Sequence, residues 1–318
     1  MKNSIDSIKA EVVAHSEVPD YPELISFKVT YPRVILAEVN THRMFSRNTS
    51  SSRAIPVERR LESVKDNPWV PLIFGKNRPG MSSGEKVTSS ASGSPEDYWR
   101  EMVEIICDEA QQFMSLFNVH KEVTNRIFES FSHITQIVTT GPSGLSNFFD
   151  QRLQTDVQPE MAALSLAMWK AYRSSTPVNQ ELHIPFRSDI EKILDGVDTR
   201  FDDSRLNKLT TFKSYTPREM AAIIISTALC AKVSYDREDQ MNLPLSDYFR
   251  ICERLATDRH YSPFEHCARF DTSRVWSSDN FPWCWVSFRG LFKMAIPPKP
   301  LKPEEERAKE IEEWLGLQ

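Results

Sequence analysis

The chain has 318 residues, of which 40% are hydrophobic and 26% charged, a composition typical of a globular domain that buries a large core. Its formal net charge is −5, from 39 basic and 44 acidic residues. General nucleic-acid binders usually carry a basic surplus, so this balance argues against nucleic acid as a partner. It permits a local basic pocket for an anionic metabolite.

The apolar runs in the sequence argue against two further classes, membrane-spanning proteins and secreted proteins. The longest run, at 221–233, contains Ser, Thr and Lys and is shorter than the ~20 residues of a membrane span. The first residues, MKNSIDSIKAEVV, lack the apolar core of a secretory signal. We therefore expect a cytoplasmic protein with no membrane partner.

The cysteines and glycines argue against several kinds of metal, disulfide and phosphate-binding site. The five cysteines are scattered and form no CxxC pair, so neither a zinc ribbon nor a disulfide framework is expected. Only nine glycines occur, and none of the glycine-rich phosphate-binding patterns can be written. A bound nucleotide or flavin would therefore have its phosphates held by side chains and loop amides.

In chain order, the first predicted element is a half-buried strand at 25–31, ISFKVTY, where apolar and polar residues alternate. RVILAEV follows from residue 33, and two interpretations stay open for it: a second strand or the first turns of a helix. Residues 59–96 are broken by Pro, Gly and a serine run, which predicts a long surface excursion.

Helix-start signals mark the next elements. Ser94 followed by Pro95 predicts a helix, and Thr216-Pro217-Arg218-Glu219 is a capping box that predicts another. The remaining predicted elements are a strand at 134–139, a Gly/Pro turn at 141–144, helices at 158–173 and 246–258, an irregular stretch at 174–215, and a charged C-terminal helix at 302–316.

Strands and long helices occur here without regular βαβ alternation. This pattern predicts an α+β fold, with an antiparallel or mixed sheet flanked by long helices. We expect a single domain over 1–318, with insertions at about 59–96 and 174–215.

The loop at 41–56, THRMFSRNTSSSRAIP, is basic and rich in hydroxyl groups. It contains His42, Arg43, Arg47 and Arg53 and six serine or threonine side chains, with no glycine or carboxylate. Turns of this kind form anion nests, and an arginine adds a forked, charge-assisted donor suited to phosphate. The alternative is a solvated polar turn. Four cationic or imidazole groups directly after a strand favour a phosphate site.

A second candidate stretch is HYSPFEHCARF at 260–270. His260, Glu265, His266 and Cys267 have the side chains of metal ligands, but their spacing matches no common zinc site. We therefore expect no metal. The structural alternative is a tight apolar corner at the Pro-Phe pair, with the glutamate capping backbone amides.

The third candidate stretch, at 125–153, contains two arginines beside apolar residues. Few acidic residues lie near Arg126 and Arg152 in the sequence. Because an arginine on an apolar face is costly unless it is paired, each is expected to contact either a distant carboxylate or a bound anion.

These stretches together resemble the flavin-dependent thymidylate synthases. The family signature is Arg-His-Arg, then seven residues, then Ser and, two residues later, Arg. The corresponding residues here are Thr41, His42 and Arg43, followed at the same spacing by Ser51 and Arg53.

Three further family motifs have counterparts. SPFEH is intact at 262–266, with His260 two residues before it. AARVS resembles CAKVS, which ends at Ser234, and the family's closing segment resembles Asn147, Arg152 and the letters VQPE. In the family the AARVS and SPFEH segments come first, whereas here they come last, which looks like a circular permutation.

The resemblance implies a homotetrameric methyltransferase that binds dUMP and FAD, with 5,10-methylenetetrahydrofolate and NADPH as co-substrates. A one-carbon unit would pass to C5 of the uracil to form dTMP, with reduced flavin supplying the hydride. The resemblance to the family covers roughly residues 20–58, 120–173 and 220–270.

The resemblance also assigns residues. It places the dUMP contacts at Glu38, Ser50, Ser51, Ser52, Arg53, Arg126 and Arg152. It places the flavin contacts at His42, Arg43, Met44, Asn147, Ser234, His260, Ser262 and Glu265. Ser51 and Arg152 would be the catalytic residues, with Arg152 a fixed cation that stabilises negative charge on the uracil.

Several positions depart from the family pattern. Thr41 replaces the first signature arginine, Thr49 replaces a glutamate, and Glu38 replaces a glutamine. Family flavin contacts by Asn, Arg and His correspond here to Gly141, Ser143 and Asp156. The phosphate contacts are thus better kept than the flavin contacts, which leaves two alternatives open: a pyrimidine-nucleotide hydroxymethylase, or a non-catalytic nucleotide-binding protein.

Overall fold

The computed structural model describes residues 4–80, 83–89, 93–195, 214–233, 243–273 and 280–317. Within them the chain has a mixed α+β fold of eleven α-helices and eight strands. The helices are α1 (Leu36–Asn40), α2 (Val57–Asp66), α3 (Pro95–Phe117), α4 (Lys121–Ile127), α5 (Pro142–Arg152), α6 (Pro159–Ser174), α7 (Arg187–Asp195), α8 (Pro217–Lys232), α9 (Leu245–Thr257), α10 (Arg289–Ala295) and α11 (Glu304–Leu315). The strands are β1 (Lys9–Glu17), β2 (Leu24–Pro32), β3 (Ser46–Thr49), β4 (His133–Thr140), β5 (Val178–Asn179), β6 (Leu182–His183), β7 (Ala268–Phe270) and β8 (Trp285–Ser287).

The larger sheet has the strand order β3-β4-β2-β1-β5 and is antiparallel except where β5 joins β1. β2 lies at its centre, and Phe27, Val29 and Tyr31 on one of its faces are fully buried. These residues pack against apolar side chains of α5 and α6, such as Phe148 and Leu164. β3 is an edge strand, and in the loop that follows it Ser50, Ser52 and Ile55 are buried whereas Arg53 is exposed.

A second core forms around α8, whose residues are buried from Ala221 to Lys232. Apolar residues of α7, α9 and α10 surround it, together with the short 3-10 helix Ser262–Glu265. A smaller antiparallel sheet, β6-β7-β8, lies next to this core. In the described parts of the chain, no helix combines the length and apolar composition that crossing a bilayer demands.

Most of the predicted elements are confirmed. β2 and β4 cover the two predicted strands, and α3 begins after Ser94, whose hydroxyl accepts a hydrogen bond from the Asp97 amide. α8 begins with the predicted capping box. At residue 33 the chain is helical, as one of the two interpretations required.

Three expectations are wrong. The Gly/Pro segment at 141–144, predicted as a turn, is the start of α5, which begins at Pro142. α2 occupies the start of the predicted surface excursion, and its Val57, Leu61 and Val64 pack against α3. The stretch predicted to be irregular contains β5, β6 and α7, where Ile190 and Leu194 are buried against the α8 core. Residues 196–213 of that stretch lie outside the described residues.

Candidate nucleotide-binding site

Asn48 on β3 connects three segments that are far apart in the sequence. Its side-chain amide donates a hydrogen bond to the carbonyl of Cys230, at the C-terminal part of α8, over 2.7 Å. Its side-chain oxygen accepts a hydrogen bond from the Ser262 hydroxyl over 2.9 Å. Asn48 is 5% exposed, so both bonds are shielded from water. The basic loop, the CAKVS segment and the SPFEH turn therefore meet at one residue.

A cavity of about 490 Å³ opens beside this junction. Ser51 and Arg53 line it from the basic loop, and His260 and Ser262 line it from the SPFEH turn. The other lining residues are Asn48, Thr49, Ala54, His120, Glu122, Ala231, Leu255 and Pro263. The structure thus brings together four of the residues that the sequence assigned to nucleotide and flavin binding.

The other two serines of the loop turn inward. Ser52 donates its hydroxyl hydrogen bond to Glu129 and is 3% exposed. The Ser50 hydroxyl is also buried and has no hydrogen-bond partner among the described residues. Any contact from Ser50 or Ser52 to a ligand in the cavity would therefore use the backbone, and their assignment stays a prediction.

Glu129 compensates part of the loop's positive surroundings. Besides accepting from Ser52, it forms ion pairs with Arg33 and with Arg126, the latter at 2.9 Å. Arg126 is thus paired with a carboxylate only three residues away, whereas the expectation from the sequence was either a distant carboxylate or a bound anion. Its side chain remains 56% exposed, so its assignment to the nucleotide stays a prediction.

Arg53 lies at the cavity wall with its guanidinium 3.5 Å from the Glu122 carboxylate. Both side chains are well exposed, so this ion pair is screened by water and is weak. The imidazole of His120 lies 3.8 Å from the same carboxylate. A phosphate group that entered the cavity would compete with Glu122 for Arg53.

A second cluster lies at the other end of β3. Arg152, at the end of α5, donates from Nε to Nε2 of His42 over 3.0 Å and from a terminal nitrogen to the Thr41 hydroxyl over 3.4 Å. His42 is 3% exposed and packs edge-on against Phe148. Burial, together with the charges of Arg152 and Arg47, lowers the pKa of His42 to about 4.

Arg47 has a structural role. Its guanidinium donates to the carbonyls of Val39 and His42, at 3.2 and 3.4 Å, and so closes the turn before β3. Of the four basic or imidazole groups in the loop, two hold the loop together. Arg43 and Arg53 are exposed.

The remaining assigned residues take several environments. Met44 is exposed, and its carbonyl accepts from the Thr140 hydroxyl over 3.0 Å. Asn147 is exposed on α5, and its side-chain oxygen accepts from Gln151. Glu265 forms an ion pair with Arg289. One carboxylate oxygen of Glu38 is buried and has no hydrogen-bond partner among the described residues. Ser234 lies outside the described residues.

Within one chain the assigned residues therefore fall into two groups at opposite ends of β3. Ser51 and Arg53 line the cavity at one end, whereas Arg152 and His42 form the cluster at the other. That Arg53 and Arg152 contact a single nucleotide stays a prediction.

Sequence reasoning missed three residues that shape the site: Asn48, Glu122 and Glu129. Asn48 stood inside the quoted loop, but a lone asparagine in a polar turn gives no signal of a buried junction. The two glutamates follow in α4 and just after it, and their pairing with residues of the loop arises only from the tertiary fold.

No protein-family model and no curated protein matches the chain. Similar solved structures include thymidylate synthase ThyX from Helicobacter pylori with FAD and dUMP, at a TM-score of 0.33 and 16% identity over 47% of this chain and 67% of that chain. A second structure of this flavin-dependent enzyme, also complexed with FAD and dUMP, gives a TM-score of 0.35 and 18% identity over the same shares.

Proposed function

We propose that the chain is an enzyme that transfers a one-carbon unit to C5 of dUMP and forms dTMP, as flavin-dependent thymidylate synthases do. The observation that carries the proposal is the junction at Asn48. The three segments that resemble the family motifs are separated by up to 214 positions, yet hydrogen bonds of one side chain join them beside a cavity. If the three segments have the roles of the family motifs, they must lie together in this way.

In this proposal the cavity receives the phosphate end of the nucleotide. The Arg53 guanidinium donates to phosphate oxygens, and the Ser51 hydroxyl and loop amides add further donors. Such contacts to a dianion are charge-assisted and therefore stronger than those between neutral groups. The neighbouring Glu122 carboxylate opposes binding and gives the cavity a built-in competitor.

Arg152 is proposed to contact the uracil ring. A fixed cation there stabilises the negative charge that develops on the carbonyl–nitrogen edge during attack from C5. The hydrogen bond to His42 holds the guanidinium in one orientation, and His42 is uncharged because its pKa is about 4. Since the two clusters are apart in one chain, we propose that a neighbouring copy in a homotetramer contributes Arg152 to the cavity.

The residues proposed for FAD divide in the same way. His260 and Ser262 lie at the cavity, whereas His42, Arg43 and Asn147 lie at the other end of β3. Bound FAD would supply the hydride that reduces the transferred carbon, with NADPH as reductant and 5,10-methylenetetrahydrofolate as carbon donor. The polar side chains at each end fit parts of such a cofactor.

One observation favours a second candidate, hydroxymethylation of the nucleotide without a flavin hydride. Where the family has an asparagine that contacts flavin, the chain has Gly141, and a Cβ there would lie 2.6 Å from Cγ of Pro282. No larger side chain fits at this position unless the backbone moves. The position that contacts flavin in the family is therefore filled here by the packing of Gly141 against Pro282 of the same chain.

We also propose that the segment order is a circular permutation. The CAKVS and SPFEH segments follow the basic loop in sequence but still pack against β3 through Asn48. These side-chain contacts do not require a particular order of the segments along the chain, and a permutation is tolerated when the original termini lie close together.

The first test of the proposed function is to measure, by calorimetry, the binding of dUMP to the purified protein. Arg53→Ala is expected to weaken binding by about 1.5–3 kcal/mol, because a charge-assisted contact is lost. Arg100→Ala is the matched control and should leave binding unchanged, because Arg100 lies on α3 outside the cavity and pairs with Glu96. An unchanged dissociation constant for Arg53→Ala would remove the phosphate assignment.

The second test is product analysis with dUMP, methylenetetrahydrofolate and NADPH. Flavin absorbance near one FAD per chain together with dTMP supports the thymidylate synthase. Colourless protein that forms hydroxymethyl product supports the second candidate. Colourless protein that gains thermal stability with dUMP but yields no product would identify a non-catalytic binding protein.

A further inference from the structure

The C-terminal helix α11 is fully formed but nothing in the described chain covers it. None of its residues is buried, and Ile311, Trp314 and Leu315 are 53, 82 and 53% exposed. An isolated helix shorter than ~12–15 residues is marginal in water, so a helix of this length normally gains its stability from packing. The exposed apolar residues indicate that α11 has a docking site.

The surface of α11 defines what that site must offer. Ala308, Ile311 and Leu315 recur at helical spacing and form an apolar stripe, with Trp314 beside it. Around the stripe, the helix carries six glutamates against Arg307 and Lys309. The docking site must therefore combine an apolar floor with a basic rim.

One groove of the described chain has these properties. It has a volume of about 1010 Å³ and lies between the start of β1 and the outer face of α6. We call it the basic groove. Its apolar residues are Ile8, Ala10, Ala167 and Ala171; its charged residues are Lys9, Lys28, Arg59, Lys170 and Glu11; and its hydroxyl residues are Thr30, Thr135 and Ser174. Four cations against one carboxylate make it strongly positive in a chain whose net charge is −5.

We propose that α11 of one copy docks in the basic groove of a second copy. The apolar stripe would cover the alanines of α6, and the glutamates would face Lys9 and Lys170 at the rim. A helix of twelve residues is about 18 Å long, so it can contact both the β1 side and the α6 side of the groove only if it lies along it.

The tether of α11 argues for a second copy rather than the same chain. Lys299 is fixed beside α9, where its ammonium lies 2.7 Å from Asp258 and its amide donates to the Thr257 carbonyl. Only four residues separate Lys299 from α11, and two of them are prolines, which restrict the backbone. Within the described residues no part of α11 is buried, so it does not occupy the groove of its own chain, and this short, stiff tether limits how far it can move from that position.

The test is disulfide trapping between two single-cysteine variants, Trp314→Cys and Lys170→Cys, mixed as full-length proteins and oxidised mildly. Both positions are exposed, and the five native cysteines are buried, so the background is low. We expect a covalent species of two chains on a denaturing gel, at least tenfold more abundant than with Lys192→Cys in place of Lys170→Cys. Lys192 is a matched control because it is exposed on α7, outside the groove.

A second set of variants tests the proposed charge complementarity by reversing charges in the groove and in α11. Lys9→Glu in the groove copy, or Glu312→Lys with Glu313→Lys in the helix copy, should each lower the yield at least threefold, and combining them should restore it. Equal yields for the Lys170 and Lys192 partners, or failure of the combined variant to restore trapping, would overturn the proposal. So would a link that forms only within one chain carrying both cysteines. The assay uses neither nucleotide nor activity, so its outcome is independent of the proposed function.

Discussion

The guanidinium of Arg152 donates a hydrogen bond to Nε2 of His42, and the imidazole is therefore the acceptor and carries its proton on Nδ1. Burial is the main cause of the lowered pKa of His42, and the charge of Arg152 is the next largest. The two residues thus stabilise each other in one state: a charged arginine held by a neutral histidine.

This relationship gives a first prediction. Arg152→Gln removes the nearest positive charge, so the pKa of His42 is expected to rise from about 4 towards its ordinary value of 6.5. The measurement is an NMR titration of the imidazole. Arg43→Gln is the matched control, because Arg43 is exposed and is not among the charges that lower this pKa. An unchanged His42 titration in Arg152→Gln would show that the hydrogen bond is absent in solution.

A second prediction concerns the junction at Asn48. Asn48→Ala removes two buried hydrogen bonds and leaves the Cys230 carbonyl and the Ser262 hydroxyl without this partner. The free energy of unfolding is expected to fall by about 2–3 kcal/mol, measured by urea denaturation. Asn40→Ala, at the exposed end of α1, should change it by less than about 0.5 kcal/mol.

The same variant distinguishes a structural junction from a functional one. Because the basic loop and the SPFEH turn are both held by Asn48, Asn48→Ala should also weaken dUMP binding at a temperature where the variant is fully folded. Normal dUMP affinity in folded Asn48→Ala protein would mean that the junction does not shape the nucleotide site.

What the sequence could predict was mostly local. The capping box at Thr216 and Glu219 and the alternation in β2 depend on neighbouring residues, and both elements formed as expected. α2 was missed because nearby prolines and glycines suggested a loop, whereas burial of Val57 and Leu61 against α3 stabilises the helix. The basic character of the loop at 41–56 was overestimated, because Glu122, about seventy residues later, pairs with Arg53 only in the folded chain.

A third prediction follows from the carboxylate at the cavity wall. Glu122→Gln removes the negative charge beside Arg53 and is expected to tighten dUMP binding by about 1.4- to 5-fold, since an exposed ion pair of this kind is worth ~0.2–1 kcal/mol. Calorimetry at low and high salt should show the gain shrinking as salt screens the charges. Glu101→Gln on α3 is the control, and weaker binding by Glu122→Gln would indicate that the glutamate itself contacts the ligand.

A fourth prediction rests on a buried chain of hydrogen bonds that crosses the larger sheet. His183 contacts the Ser16 hydroxyl through Nδ1 and the Ser26 hydroxyl through Nε2, each over 2.8 Å. Ser26 bonds Thr139, whose hydroxyl lies 2.8 Å from Nδ1 of His266. Burial lowers the pKa of both His183 and His266 to about 3, so both are neutral in the folded protein.

These histidines make stability depend on pH in a defined direction. Their pKa values are about 3 when folded and ~6.5 when unfolded, so the unfolded chain binds more protons between these values. Their contribution is fully present above pH 6.5 and is lost as the pH falls towards 3. Each histidine then adds a slope of up to about 1.4 kcal/mol per pH unit to the free energy of unfolding.

His183→Gln is therefore expected to destabilise the protein at pH 7 but to lose less stability than the wild type between pH 7 and pH 5. Urea denaturation at both values provides the measurement. Ser16→Ala is the matched control: it removes a hydrogen bond to His183 but no titrating group, so its acid slope should equal that of the wild type. A histidine steepens the loss of stability with falling pH only if it stays neutral in the folded protein and becomes protonated in the unfolded chain. If His183→Gln retained the full wild-type slope, His183 would therefore be charged or exposed in solution.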